Sequence, residues 1–579
     1  MENREIARVF SEIADLLEIK GDNPFRIRSY RNAAEAIEGL PESLSVLYEK
    51  GADGLKHIHG IGEGIREKII ELLTTAECSA HQELLKELPK GLLDMLRVSG
   101  IGPKKAYHLY KELGIADIDA LENAALQGRL RELTGFGQRT EEGILKAIKG
   151  LKAATGRFKL FDAMLWADSF VRYIKKVPGV VEAVPAGSLR RWKESIGDVD
   201  ILSSCKNPEA VMDSFVKHPE VKAIVSKGET RSTVILKTGL QVDIRVVDEK
   251  CFGAALQYFT GSKAHNIALR DRAKKMGLKL SEYGVFREKG DKWIAGRTEV
   301  DVYEAVGLPW IRPELRENTG EIQAALDGKL PEELKPSHIK GDLHVHSIES
   351  DGNATIEEMA EAAMKLGYEY IAITDHSKAV GIAHGLDETR LLNEIKDIDA
   401  LNSKLKKQGK NFRVLKGAEV DIRGDGTLDH PDSALAKLDC VVAAIHSGFG
   451  MTKDRMTARI VKAISTGRVN ILAHPTGRLV GTREPYDVDM EKVMDEAKKH
   501  SVCLELNSFP DRLDLKDTHL RLAKEKGLKV AISTDSHSPA HLNNIVFGVH
   551  TAMRGWIERK DIINTRPLGE LMKILKKGR

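Results

Sequence analysis

Ala186-Gly187-Ser188-Leu189-Arg190-Arg191, followed closely by Ile196-Gly197-Asp198-Val199-Asp200-Ile201-Leu202, is the stretch on which the fold turns. Successive side chains of a strand point to opposite faces, so Asp198 and Asp200 share one face while Val199 and Ile201 share the other. The glycine and serine ahead of them suit a tight turn into a helix start, whose free N–H groups face an anion. A second run, Gln241-Val242-Asp243-Ile244-Arg245-Val246, alternates in the same way and puts Asp243 on the polar side of another strand. Three such carboxylates hold two Mg²⁺ or Mn²⁺ ions for an in-line displacement at phosphorus. Gly187 and Ser188 then cradle a triphosphate, and Arg191 adds charge. A lone Asp-x-Asp is more often a solvated strand end, but Gly-Ser, Asp-x-Asp and a later strand aspartate together are far more specific.

Toward the N-terminus the texture is helical. Apolar residues recur at three-to-four spacing in Ile6–Leu17, Ala33–Leu40, Ile65–Leu73 and Ile144–Ile148. Between them, three segments share one layout: Gly60-Ile61-Gly62, Gly100-Ile101-Gly102 and Gly135-Phe136-Gly137, each leading into a helix. Glycines let a backbone approach phosphate closely, which predicts contacts to nucleic acid that ignore base sequence. The first two copies are the stronger.

Toward the C-terminus strand and helix alternate over about 240 residues, which predicts a barrel-like α/β domain. Candidate strands are Asp342–His346, Tyr370–Thr374, Arg413–Glu419, Val441–His446, Ile471–His474, Val502–Asn507 and Val530–Asp535. Thirteen of the 19 histidines lie at or after His338. His344 and His346 alternate onto one face of the first strand, and His376, Glu419, His446, His474, Asp535 and His537 fall at or just past later strand ends, with Asp351 in the first loop. Strand ends of such barrels converge on one site, and mixed imidazole and carboxylate donors suit Zn²⁺, Mn²⁺ or Fe²⁺. His338, His384, His430, His500, His519, His541 and His550 lack this placement and read as surface or packing residues.

Composition bounds the rest. At 579 residues, three or four domains are expected. Five well-separated cysteines without a CxxC pair fit a reduced, cytosolic protein. No apolar run is long enough to span a membrane, and the start has no leader-like apolar core. Net charge is only +3, but residues 251–300 carry ten Lys/Arg against five Asp/Glu, a local surface suited to nucleic acid.

With Tyr258-Phe259-Thr260-Gly261-Ser262 added, residues 20 to 310 resemble a family X DNA polymerase, and 338–579 resemble a polymerase and histidinol phosphatase (PHP) domain. The resemblance implies a helix-hairpin-helix region, an α+β nucleotidyltransferase palm with thumb, and a distorted (βα)7 barrel. The corresponding divisions are 1–90 and 91–150 (hairpin domains), 151–245 (palm), 246–318 (thumb), 319–337 (linker) and 338–579 (PHP). It implies that Asp198 and Asp200 bind both metals and that Asp243 binds one and helps deprotonate the primer 3′-hydroxyl. Tyr258, Phe259 and Gly261 belong to the sugar-discriminating segment, and Asn266 and Arg270 are placed for minor-groove contacts. Lys263 stands where animal members carry an acid. Lys68 occupies the position of a Schiff-base lysine for 5′-deoxyribose-phosphate removal, although Thr74–Ala80 lacks the accompanying lysines. In the PHP half, His344, His346, Glu419 and Asp535 would bind one metal and Glu419 and His446 a second, with Asp351, His376, His474 and His537 completing up to three.

The expected protein is a cytoplasmic, nucleoid-associated monomer that fills short gaps in primer-template DNA with dNTPs and trims 3′ ends. The alternatives are a DNA-bound phosphoesterase or abasic-site endonuclease with little synthesis, and a small-molecule phosphatase.

Overall fold

The computed structural model describes residues 3–38, 44–49, 55, 58, 61–75, 77–96, 98, 100–153 and 157–577. The helical part is built around one core. Asn3–Lys20 buries Ile6, Phe10, Ile13 and Leu17 against Pro24–Glu38, and the same core takes in Leu109 of Pro103–Leu113 and Ile144 of Gln138–Ala153. The hairpin turns repeat one geometry: Ile61 N donates to Ile58 O, Ile101 N to Val98 O and Phe136 N to Leu133 O. In each, the residue between the glycines is buried while Gly62, Gly100, Gly102, Gly135 and Gly137 face solvent. Gly100 and Gly135 adopt left-handed φ of 93° and 88°, a conformation a side chain disfavours. Gly60 lies outside the described residues.

The palm is a five-stranded sheet in the order Val180–Pro185, Asp198–Cys205, Gln241–Val247, Arg231–Leu236, Val221–Lys227, with one parallel pair in the middle. Helices Leu160–Ile174 and Pro208–Val216 cover one face, meeting through Phe170 and Phe215 with ring centroids 5.4 Å apart. The edge strand Val221–Lys227 and a three-stranded sheet (Leu278–Ser281, Gly284–Arg287, Trp293–Ala295) were not anticipated. The edge strand is largely exposed and the others span three or four residues, so none carries a long apolar run. Residues 319–337 contain helix Glu321–Leu326, which packs Ala325 into the thumb core.

The C-terminal half forms seven parallel strands in strictly sequential order, each within two residues of its expected bounds. A bridge between Val345 and Ser536 brings the first and last strands together, so the sheet curls into a nearly closed barrel. Small and apolar side chains such as Leu343, Ala372, Val442, Ile471 and Ala531 fill its interior, as close-packed parallel strands require.

Palm and barrel share packing. Leu513 and Phe547 of the barrel half enter the palm core, and Trp192 stacks on His550 with ring centroids 3.6 Å apart. Glu317 accepts from Arg191 at 3.1 Å and from Arg554 at 3.0 Å, and Arg478 pairs with Glu194 at 2.7 Å.

Candidate catalytic centres

In the palm, Asp200 and Asp243 lie directly opposite each other on neighbouring parallel strands, with Asp198 two residues before Asp200. Burial, and then the nearby Asp198 and Asp243, push the Asp200 carboxyl up to about 7; burial followed by Asp243 raises Asp198 as well. Clustered carboxylates of this kind call for a cation to offset their repulsion. Asp243 is held by Gln241 Nε2 at 2.6 Å and by the Thr233 hydroxyl. Gly187 sits over this group at φ +61°: a Cβ there would lie 2.1 Å from Asp200 Oδ2. Glycine is thus required both by space and by conformation.

The arginines behind the Gly-Ser turn divide their work. Arg190 makes a bidentate pair with Glu299, 2.8 Å to each oxygen, and Glu299 also accepts from Arg316 at 2.6 Å and from Trp310 at 3.0 Å. Against the cost of burial, Arg316 and Arg190 hold Glu299 down at about 2. This network, invisible in the sequence because its members lie 109 residues apart, ties the palm to the thumb. Arg191 donates to Thr260 O at 2.8 Å, which places it beside the Tyr258–Gly261 segment. Asn266, expected at a groove contact, is buried and spends its amide on Tyr258 O at 2.6 Å and on Gln257 at 2.8 Å. A Cβ on Gly261 would meet Asn266 Oδ1 at 2.5 Å, so this turn is tightly packed. Arg270 Nε donates to Asn266 O at 3.3 Å. Lys68 lies on helix Glu63–Thr75 and donates to Gly64 O, one turn back, at 3.1 Å.

The barrel brings all nine expected residues to one end. Glu419, fully buried, stands at the centre: His376 Nδ1 is 2.7 Å from Oε2, and His474 Nε2 and His446 Nε2 are 2.9 and 3.2 Å from Oε1. His344 Nε2 lies 3.5 Å from Glu419 and 3.7 Å from Asp535, while His346 Nε2 is 3.1 Å from Asp535. Asp351 faces His376 at 3.6 Å and His537 at 3.4 Å. Among the described residues three ligand groups form: His346/Asp351/His376/His537, His344/His346/Asp535 and His376/Glu419/His446. The palm carboxylates do not close into such a cage.

The donor set fits a metal on its own chemistry. His344 Nε2, both His346 nitrogens and Glu419 Oε2 are buried without a formed hydrogen bond, which is costly unless a cation completes them. Burial and then His376 push His346 down to about 4, leaving the neutral imidazole that ligation needs. Burial opposes charge on His376, but Glu419 and Asp351 raise it to about 10. Protons on such histidines are what a bound cation displaces. His474 and Asp535 have left-handed φ of 27° and 54°, strain of the kind that collects at functional sites.

Several partners of this centre carry no sequence motif. Asp421 contacts His446 Nδ1 at 3.2 Å, Asp375 anchors Ser347 and Ser350, and Arg512 Nε reaches Asp535 at 3.2 Å. The sixth strand, Cys503–Asn507, contributes no expected ligand, yet its Glu505 and Asn507 face the cluster.

An α+β palm with paired strand aspartates, preceded by hairpin turns with solvent-facing glycines and followed by a barrel whose clustered imidazoles and carboxylates fit a metal, is the layout of a DNA-directed nucleotidyltransferase joined to a metal-dependent phosphoesterase fold. Family models match four regions: a helix-hairpin-helix domain at 1–78, a SAM-like helix-hairpin-helix tandem at 92–149, a DNA polymerase beta thumb at 255–317 and a PHP domain at 342–509. The chain is 39% identical over 580 residues, spanning the whole of both proteins, to the DNA polymerase/3′-5′ exonuclease PolX of Bacillus subtilis (strain 168). It is 31% identical over 248 residues, 41% of its length and 94% of the relative, to a probable phosphatase of Thermoanaerobacter sp. (strain X514). It is also 25% identical over 349 residues, 54% of its length and 62% of the relative, to DNA polymerase lambda of Arabidopsis thaliana. The chain belongs to the family X DNA polymerases that carry a C-terminal PHP domain. Membership implies DNA and deoxynucleoside triphosphates as substrates and dependence on divalent metal ions. Among the described residues no helix is long and apolar enough to cross a membrane.

Proposed function

We propose that this protein fills short gaps in DNA by template-directed dNTP addition and removes nucleotides from 3′ ends with its barrel. The carrying observation is that one chain joins two separate clusters, Asp198/Asp200/Asp243 and the nine barrel residues, behind three hairpin turns whose described glycines face solvent. The hairpin regions within 1–90 and 91–150 hold the duplex through Gly62, Gly100 and Gly102, and Gly60 by sequence; residues 151–245 carry transfer and 246–318 select the nucleotide.

In the palm, Asp198 and Asp200 hold both ions, and Asp243 holds one and draws the proton from the primer 3′-hydroxyl. Backbone N–H groups of Gly187 and Ser188 receive the triphosphate, with Arg191 adjacent. Tyr258 and Phe259 wall the sugar, with Asn266 bracing the Tyr258 carbonyl and exposed Arg270 placed to reach the minor groove. Mg²⁺ or Mn²⁺ suits these all-oxygen ligands; Zn²⁺, Mn²⁺ or Fe²⁺, up to three, suits the barrel's imidazoles. When bound, the ions supply Lewis-acid polarisation of the phosphoryl group and an activated water. The barrel residues fix ion positions and keep the pocket walls dry.

A 5′-labelled primer on a gapped template, incubated with Mn²⁺ with and without dNTPs, tests this. Extension with dNTPs and stepwise shortening without them is expected. Shortening alone would replace the polymerase reading with a DNA-bound phosphoesterase, and extension alone would remove the exonuclease.

A further inference from the structure

Six of the seven barrel strands deliver at least one of the nine expected ligands from their C-terminal end or the loop just past it; Cys503–Asn507 delivers none. Its sequence nonetheless alternates: Leu504 and Leu506 pack outward into the helix layer, while Cys503 faces the barrel interior with Glu505 and Asn507 above it. Both polar residues are completely buried. A carboxylate in that position is costly unless it is fully used.

Glu505 is fully used. Oε1 lies 2.7 Å from His344 Nδ1, and Oε2 accepts from the His474 backbone N–H at 2.7 Å and from Asn507 Nδ2 at 3.3 Å. The same Asn507 amide donates to Asp535 Oδ2 at 3.0 Å, and its Oδ1 accepts from Phe509 N at 3.0 Å. Three ligand-bearing strands thus converge on one carboxylate–amide pair. The consequence for His344 is chemical. A neutral imidazole carries one N–H; with Nδ1–H donated to Glu505, the lone pair is on Nε2, the atom aimed at Glu419 and Asp535.

We propose that Glu505 is a positioning residue for the barrel's metal ions, fixing the His344 tautomer and the His474 backbone, with Asn507 orienting Asp535. The proposal rests on the metal reading of the barrel. Glu505→Gln tests it almost isosterically, because the carboxamide has only one acceptor oxygen. Its NH₂ must oppose either the His474 N–H or His344 Nδ1–H, and the second case moves the imidazole proton onto Nε2.

The experiment is equilibrium dialysis of the full-length protein against graded Mn²⁺, with bound metal measured by elemental analysis, for wild type, Glu505→Gln and Asn507→Ala. A roughly 10–100-fold weaker affinity is expected for Glu505→Gln, the usual cost of losing such an outer partner, and a smaller loss for Asn507→Ala. The Mn²⁺ midpoint for 3′-end shortening should move by the same factor, with rates recovering at saturating Mn²⁺ and primer extension unchanged. A merely structural role would leave that midpoint in place. Wild-type affinity in the folded variants overturns the proposal; if Glu505→Gln does not fold, Asn507→Ala alone decides. No metal bound by the wild-type barrel would overturn the metal reading itself, and this proposal with it.

Discussion

The palm and the barrel solve the same problem, gathering cations at a phosphate, in opposite ways. The palm offers three carboxylates on two strands, partly open and spread. The barrel offers nine interlocked donors from six strands, six of them buried and several donor atoms without a hydrogen bond. An open all-oxygen site is completed by ions arriving with a triphosphate; a buried imidazole cage retains its own. On the function proposed above, the difference teaches that one chain combines a transient with a resident metal chemistry.

The sharpest way to break this comparison is to remove one ligand from each site. Asp198→Ala is expected to lower dNTP incorporation by about 10³-fold, the loss of roughly 4 kcal/mol of charge stabilisation, while 3′-end shortening persists. His344→Ala should do the reverse. Loss of both activities in either folded variant would sink the idea of separate centres.

Chelation comes next. Stripping metal should lower the stability of the barrel by about 4 kcal/mol where ions had been present at some thousand times their Kd, seen as an earlier thermal transition. The same transition in the Asp198→Ala protein should shift equally if the palm's ions arrive only with the triphosphate. An unchanged transition on chelation would mean the cage is not what binds.

How much of this was visible beforehand follows from where the information lies. Barrel strands were legible because doubly buried parallel strands are short apolar runs, and their ligands sit at the ends. The palm aspartates were legible by alternation. Glu505 was not: Leu504-Glu505-Leu506-Asn507 reads as a half-exposed strand, and only closure of the barrel puts its polar face indoors. Arg190 with Glu299 and His344 with Glu505 are joined across 109 and 161 residues, beyond any local pattern.

Smaller effects refine the palm side. Gly187→Ala must overcome both the left-handed φ and the Asp200 oxygen; about 2 kcal/mol, or some 30-fold in incorporation, is expected, measured by single-turnover kinetics. Normal rates would show that the turn relaxes. Smallest is Gly100→Val in the second hairpin, expected to weaken gapped-DNA binding by about 1 kcal/mol without altering which sequence is bound. Fluorescence anisotropy across several sequences would show it, and a sequence-dependent loss would contradict a backbone-only contact.

The Arg191–Glu317–Arg554 junction has a consequence for genetics. Ending the chain after the thumb would take His550 from Trp192 and Arg554 from Glu317 and the Arg191 carbonyl, and would open the palm core where Leu513 and Phe547 now sit. A polymerase defect in such a deletion would report a broken scaffold rather than a missing nuclease. Alleles meant to separate the two activities therefore belong at single ligands, with the junction left whole.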